Sequence, residues 1–91
     1  AVKAAMISHS KSLALSLASK NIRVNCVSPG AFPSADVQEE AGFVAELRRR
    51  SPLGRIGRPQ DLAGAFVFLS AAASDFVTGH NLVVDGGWTI R

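Results

Sequence analysis

The stretch IRVNCVSPG, residues 22–30, decides the fold class. Its first seven residues are mostly apolar, with β-branched side chains at nearly alternate positions, and this pattern predicts a β-strand over 22–28. The strand has to stop at Pro29-Gly30, because proline cannot donate to a sheet ladder and the pair favours a turn.

A helix is predicted immediately before this strand. Residues 3–20 contain neither glycine nor proline, and Met6, Leu13 and Leu17 fall on one helical face. Asn21 suits the left-handed position that ends a helix. The chain therefore enters the strand directly from a helix.

A second helix and a second strand are predicted towards the other end. The run DLAGAFVFLSAAAS, residues 61–74, is apolar on all sides, which is typical of a buried helix, and Pro59 fits its first turn. NLVVD, residues 81–85, predicts a strand that ends in a structural turn at Gly86-Gly87.

The order helix, strand, irregular lid, helix, strand predicts an α/β fold. A strand–helix–strand crossover implies a parallel pair of strands. Two strands and two long helices are too few to cover both faces of a sheet, so we expect the chain to be the second half of a larger structure.

Composition narrows the function classes. The 91 residues bound the chain to one domain at most, and 47% of them are apolar, which is enough for a packed core. The net charge of +3 includes one basic run, Arg48 to Arg50, without interleaved aromatic residues, which argues against nucleic-acid binding. The single cysteine, Cys26, excludes an internal disulfide, and no apolar stretch reaches membrane-spanning length. We expect a cytoplasmic protein, without a membrane segment, and with no metal site because His9 and His80 are isolated.

Four stretches together resemble the C-terminal part of a short-chain dehydrogenase/reductase, a family of single-domain Rossmann-fold NAD(P) oxidoreductases. They are VKAAM at 2–6, IRVNCVSPG at 22–30, PLGRIGRPQDLA at 52–63 and TGHNLVVDGG at 78–87. Each is weak alone, but the four in this order and at these spacings are highly specific. The resemblance covers the whole chain. It implies that residues 1–91 form the C-terminal part of one doubly wound parallel-sheet domain, with a substrate lid at about 35–50.

The resemblance makes Lys3 the catalytic lysine of the family, which follows a catalytic tyrosine by four positions and also binds the ribose of the cofactor. The chain holds no tyrosine. We therefore expect it to begin just after that tyrosine and to lack the N-terminal cofactor-binding half, with its serine and glycine-rich loop. The chemistry suits a lysine, because a nearby ammonium stabilises a phenolate and lowers the phenol pKa from its usual value of about 10. By position alone, Lys3 would be interpreted as an exposed lysine near a chain end.

The same resemblance assigns cofactor contacts to Pro29, Gly30, Phe32 and Ser34. Ligands of open parallel sheets bind at the carboxyl ends of the strands, where a glycine permits close approach of the backbone. The sequence departs from the family here, since Phe32 stands where Ile or Val is commoner, Ser34 replaces a threonine, and Pro33 removes an N–H donor. Capping of a following helix is the alternative role for Ser34.

The resemblance implies an NAD- or NADP-dependent parent enzyme. Its expected reaction is hydride transfer between the nicotinamide and a secondary alcohol or ketone of the sugar-acid, polyol or 3-oxoacyl type. Its expected partners are that small substrate and further copies of the chain, in a homodimer or homotetramer. The 91 residues alone are expected to be inactive. Two alternatives remain: a non-catalytic self-associating or docking module, and a binding protein that keeps the fold without catalysis.

Overall fold

A computed structural model describes residues 2–30, 32 and 41–90. Its helices are α1 (Val2–Leu17), α2 (Ala41–Arg50) and α3 (Pro59–Ser70), and its strands are β1 (Cys26–Pro29) and β2 (Asn81–Val84). Short 3₁₀ turns lie at Ala18–Lys20, Ala72–Ser74 and Trp88–Ile90. Over the described residues the order of elements is the predicted one, and α2 lies within the segment assigned to the lid.

The two strands form a parallel pair. The N–H of Cys26 donates to the carbonyl of His80 at 2.9 Å, and the N–H of Gly30 donates to the carbonyl of Val84, also at 2.9 Å. Both partners advance by four residues in the same direction, which only parallel strands do. The predicted parallel pairing is confirmed.

The first strand is shorter than predicted and begins at Cys26 instead of residue 22. The N–H of Val24 donates to the side-chain oxygen of Thr78 at 3.1 Å, so a hydroxyl takes the place of a ladder carbonyl. The Asn25 amide likewise donates to the carbonyl of Val77 at 3.0 Å. These two side-chain bonds, together with the backbone bond from the N–H of Gly79 to the carbonyl of Val24 at 2.8 Å, satisfy this stretch before the regular ladder begins, and the predicted strand start was wrong for that reason.

The chain divides into two compact units, and the first consists of Ala1–Val27 and Ala65–Leu82. Ala14 and Ser74 are buried in it. α1 and its 3₁₀ turn end where Asn21 takes a left-handed φ of 60°, which confirms the predicted helix end. The thiol of Cys26 and the hydroxyl of Ser10 lie 2.6 Å apart, so the cysteine has a polar partner.

The second unit consists of Ser28–Gly64 and Val83–Arg91. Val44 of α2 is buried in it, as are the polar residues Ser28 and Ser51. The two segments of this unit are joined by backbone hydrogen bonds from Gly30 to Val84 and from Leu53 to Gly86, the latter 3.1 Å long. These bonds fix the turn after β1 and the loop after α2 against the end of β2.

Within these 91 residues, α3 is only partly buried, less than its apolar sequence predicts. Ala65 is buried, but Phe66, Val67 and Phe68 are 56%, 67% and 42% exposed. A two-stranded sheet with short helices offers too little apolar surface to cover a helix that is apolar on all sides. Among the described helices, none combines the length and the apolar character that crossing a bilayer requires.

Candidate functional site

The predicted cofactor edge is the carboxyl end of β1. Pro29 ends the strand and is exposed, and Gly30 follows it with the hydrogen bond to Val84 that closes the ladder. A Cβ on Gly30 would lie only 2.6 Å from the Cα and 2.5 Å from the Cβ of Asp85. The chain after β2 therefore requires a glycine here, whether or not a ligand approaches, and the cofactor role of Gly30 remains a prediction.

Phe32 lies two residues further along, half-buried, against Gly57 in the loop between α2 and α3. Its aromatic ring occupies the direction that a Cβ on Gly57 would take. Pro29, Gly30 and Phe32 therefore belong to the same compact unit as this loop.

The other two predicted site residues are placed differently. Lys3 lies in the first turn of α1, in the first unit, and its side chain is exposed. Ser34 lies outside the described residues, as do residues 35–40 of the predicted lid. The assignments of Lys3 and Ser34 therefore remain predictions.

The remaining part of the predicted lid is α2, whose charges are paired on its exposed face. The Glu46 carboxylate accepts hydrogen bonds from Arg49 at 2.7 Å and from Arg50 at 2.8 Å. These guanidinium hydrogen bonds lower the pKa of the Glu46 carboxyl below its ordinary value, and the bond from Arg49 has the larger effect. Two of the three arginines of the basic run are thus bonded to a carboxylate of their own helix, and the run is exposed.

Asp85 organises the turn that follows β2. Its carboxylate accepts hydrogen bonds from the N–H of Gly87 at 2.9 Å and from the N–H of Thr89 at 3.0 Å. Desolvation raises the pKa of this carboxyl, but hydrogen bonds from Thr89 and the following backbone outweigh it, and the net shift is downward. Gly86 has a φ of 64°, which favours glycine. The structural interpretation of Asp85-Gly86-Gly87 is confirmed.

A cavity of about 190 Å³ lies inside the second unit, beside this turn. Its apolar walls include Phe32, Leu53, Ile56 and Val84. Ser51 also lines it, and its hydroxyl is buried without a hydrogen-bond partner. A buried hydroxyl without a partner is energetically unfavourable, and this cavity is large enough for water.

Asp61 anchors the loop before α3. The Arg55 guanidinium donates to its carboxylate at 2.8 Å, and the N–H of Arg58 donates to the same carboxylate at 2.7 Å. These two hydrogen bonds hold the pKa of the Asp61 carboxyl far below its usual range, and the bond from the Arg55 side chain has the larger effect. Because Arg58 immediately precedes the helix, the carboxylate at the third helical position reaches back to the cap, as in a capping box.

Two residues that shape this unit, Gly57 and Ser51, had no predicted role, and Asp61 was interpreted only as a favourable acid in the first turn of the second long helix. Gly57 and Asp61 lie in the motif PLGRIGRPQDLA, which contributed to the resemblance but not to the predicted site. An acidic residue three positions after the cap was the signal for Asp61. Ser51 is a polar residue directly after a helix, a position where side chains are ordinarily exposed. Its burial could therefore not be predicted from the sequence.

Among residues 2–30, 32 and 41–90, no three His, Cys, Asp or Glu side chains come close enough together to hold a metal ion. The acidic groups with lowered pKa, such as Asp61 and Asp85, are already bonded to cations or to backbone N–H groups. The carboxylates of Asp61 and Asp85, which line the cavity of the second unit, are therefore satisfied by neighbouring donors.

The chain is similar to known oxidoreductases over nearly its whole length. Residues 1–89 match a family model described as enoyl-(acyl carrier protein) reductase. The 5-keto-D-gluconate 5-reductase of Escherichia coli strain K12 is 47% identical over 94 residues, which span 99% of this chain and 37% of that protein.

Two solved structures share the fold. A 4-hydroxyisoleucine dehydrogenase complexed with NADH has a TM-score of 0.92 at 32% identity, over 98% of this chain and 38% of that one. A gluconate 5-dehydrogenase from Burkholderia cenocepacia J2315, in complex with NADP and tartrate, has a TM-score of 0.89 at 38% identity, over 98% of this chain and 36% of that one. The chain spans a little more than a third of the length of these relatives.

Proposed function

The chain belongs to the short-chain dehydrogenase/reductase family, and from that membership we propose that the protein is an NAD(P)-dependent oxidoreductase. The observation that carries the proposal is the fit of the described fold, over 98% of the chain, to dehydrogenases solved with NADH or NADP. The carboxyl edge of the parallel pair, with its Pro29-Gly30 turn, supports it, because open parallel sheets bind their ligands there.

Residues 1–91 serve, in this proposal, as the C-terminal part of one Rossmann domain, with a lid at about 35–50. Lys3, Pro29, Gly30, Phe32 and Ser34 bind the cofactor. The bound nicotinamide would accept or supply the hydride. The exposed side chain of Lys3 fits the part assigned to it, because its ammonium has three donors to offer the ribose hydroxyls.

Lys3 is also the catalytic residue of this chain. Its positive charge lowers the pKa of the tyrosine phenol that the family places four positions earlier, so that the phenol can transfer a proton to or from the substrate oxygen near neutral pH. The lysine acts through its positive charge and by positioning the ribose. No tyrosine is present among the 91 residues, so we propose that they do not turn over substrate by themselves.

The substrate is a secondary alcohol or the corresponding ketone, and we place a sugar acid first. The reductase of E. coli acts on 5-keto-D-gluconate by its name, and a gluconate 5-dehydrogenase is a structural relative. Polyols and 3-oxoacyl thioesters are the other two classes. Initial rates with 5-keto-D-gluconate, a ketose and a 3-oxoacyl thioester rank the three classes directly.

The test of the proposal is the Lys3→Ala substitution in the full-length protein. General acid–base assistance contributes about 10²- to 10⁴-fold to such reactions, so we expect kcat to fall by at least about a hundredfold. Lys11→Ala is the matched control, because Lys11 is another exposed lysine of α1. If kcat of the Lys3→Ala variant stays within about twofold of that of Lys11→Ala, the two activation barriers are nearly equal. Lys3 would then have no part in the mechanism.

A self-associating module is the second candidate function, and the exposed apolar side chains of α3 favour it. Phe66 and Val67 are more than half exposed on adjacent positions of this helix. Association of copies through such a face is also compatible with the homodimer or homotetramer that the resemblance implies. Cofactor titration separates the two: the enzyme binds NADH or NADPH, whereas a module that only associates binds neither.

A further inference from the structure

Gly57 and Gly86, both in the second unit, disfavour a side chain for different physical reasons. Gly86 has a positive φ of 64°, so its backbone conformation disfavours other residues. Gly57 is not among the described glycines with positive φ. Its backbone would accept alanine, and the obstacle is a neighbour.

The neighbour of Gly57 is the aromatic ring of Phe32. A Cβ on Gly57 would lie 2.5 Å from both Cδ1 and Cζ of that ring, and closer still to Cε1. Carbon atoms attract one another best at about 3.5 to 4.0 Å, so this position is inside the repulsive wall of several ring atoms at once. The ring therefore lies directly over the Cα of Gly57.

The loop that carries Gly57 is fixed on both sides. Arg55 donates to the carboxylate of Asp61 in the first turn of α3, and the N–H of Arg58 donates to the same carboxylate. A methyl group added at Gly57 would consequently displace the ring more readily than the loop. Phe32 is the residue that would have to move.

We propose that Gly57 is a positioning residue for the cofactor: by receiving the ring of Phe32, it fixes the backbone that meets the nicotinamide end. The proposal rests on the proposed function, which assigns cofactor contact to Phe32. Gly57 itself touches no ligand. It acts through the ring, and the size of the residue at position 57 therefore controls cofactor affinity.

The experiment is a double-substitution cycle in the full-length protein, read by equilibrium binding of NADH and NADPH through their fluorescence. Gly57→Ala is expected to weaken binding of the preferred cofactor by about tenfold or more, because the added methyl group overpacks the contact and displaces the ring. Phe32→Val removes the ring and forms the second side of the cycle. Combined with Gly57→Ala, it is expected to recover most of the loss, since the added methyl group then meets no ring.

Gly64→Ala is the matched control. Gly64 lies in α3, and a Cβ there would meet no atom within 4 Å. It should leave both dissociation constants unchanged. Melting temperatures of all variants separate a fold defect from a binding defect: if Gly57→Ala unfolds the protein, recovery of both fold and binding in the double variant supports the contact between the ring and position 57.

Each result has a defined meaning. A wild-type protein that binds neither NADH nor NADPH contradicts the proposed function itself. A wild-type protein that binds, with Gly57→Ala binding as tightly as Gly64→Ala, overturns the positioning role alone. Weak binding by Gly57→Ala that Phe32→Val does not restore overturns it too, because the ring would then not be the cause.

Discussion

Substitution of Arg23 should be among the most destabilising single changes in the first unit. Its guanidinium donates to the carbonyl of Ser74 at 2.8 Å, to the carbonyl of Val77 at 3.3 Å and to the carbonyl of Leu69 at 3.1 Å. It also reaches the hydroxyl of Ser74, at 3.1 Å. One half-buried cation thus satisfies three carbonyls where α3 ends and the chain turns towards β2.

The expected loss for Arg23→Met follows from these bonds. A hydrogen bond with a charged donor contributes about 1.5–3 kcal/mol net. The carbonyl of Ser74 keeps a hydrogen bond from the N–H of Val77 at 2.9 Å, and the carbonyl of Val77 keeps the bond from the Asn25 amide at 3.0 Å, so the loss is that of the charged hydrogen bonds. Arg23 is only half-buried, and water can replace part of what these bonds contribute. We therefore expect the free energy of unfolding to fall by about 2–4 kcal/mol.

Urea unfolding of the full-length protein measures this loss of free energy, and two further variants serve as controls. Lys20→Met removes an exposed cation three residues earlier and should change the free energy of unfolding by less than about 0.5 kcal/mol. Arg23→Lys keeps the charge but cannot reach all three carbonyls at once, so its loss should lie between the other two. The reasoning is refuted if Arg23→Met is no more destabilising than Lys20→Met.

Two further outcomes follow from polar groups of the second unit. Ser51→Ala should leave the free energy of unfolding unchanged or raise it, because the substitution removes a buried hydroxyl that has no partner; a loss above about 1 kcal/mol would contradict this and indicate a bound water. Asp61 has a lowered pKa, so its stabilising effect is complete above the ordinary aspartate pKa of about 4 and is lost as the pH falls below it. The difference in melting temperature between wild type and Asp61→Asn should accordingly shrink from about pH 7 to about pH 3, and a constant difference would show that the carboxylate bonds are not its cause.

Local chemistry explains why much of the fold could be predicted. Asn21 ends a helix and Gly86 begins a turn because few other residues accept a positive φ, and both positions are readable without knowledge of any neighbour. The parallel pairing followed from a helix between two strands, which is a property of chain order. The family followed from four motifs at fixed spacing, and residues 1–89 bear it out.

The errors arose where distant residues decide the local structure. The first strand begins late because Thr78 and Asn25 satisfy the backbone there, and a pattern of alternating apolar residues carries no trace of those bonds. The apolar character of α3 indicated burial, yet burial depends on how much surface the rest of the chain can supply. Arg23 looked like one of several scattered cations, although its guanidinium donates to three carbonyls.

The glycines of the second unit show the same difference between local causes and causes that lie in a distant residue. Gly86 is favoured by its own φ of 64°, and no change in a neighbouring side chain relieves that preference. Gly57 is required by Phe32, 25 positions earlier, so a change in that neighbour can relieve the requirement. Gly64 is required by neither. Sequence reasoning assigns the first kind from turn chemistry but cannot separate the second from the third. That is why Gly57, the glycine that couples a loop to the proposed cofactor contact, becomes visible only when the position of the ring is known.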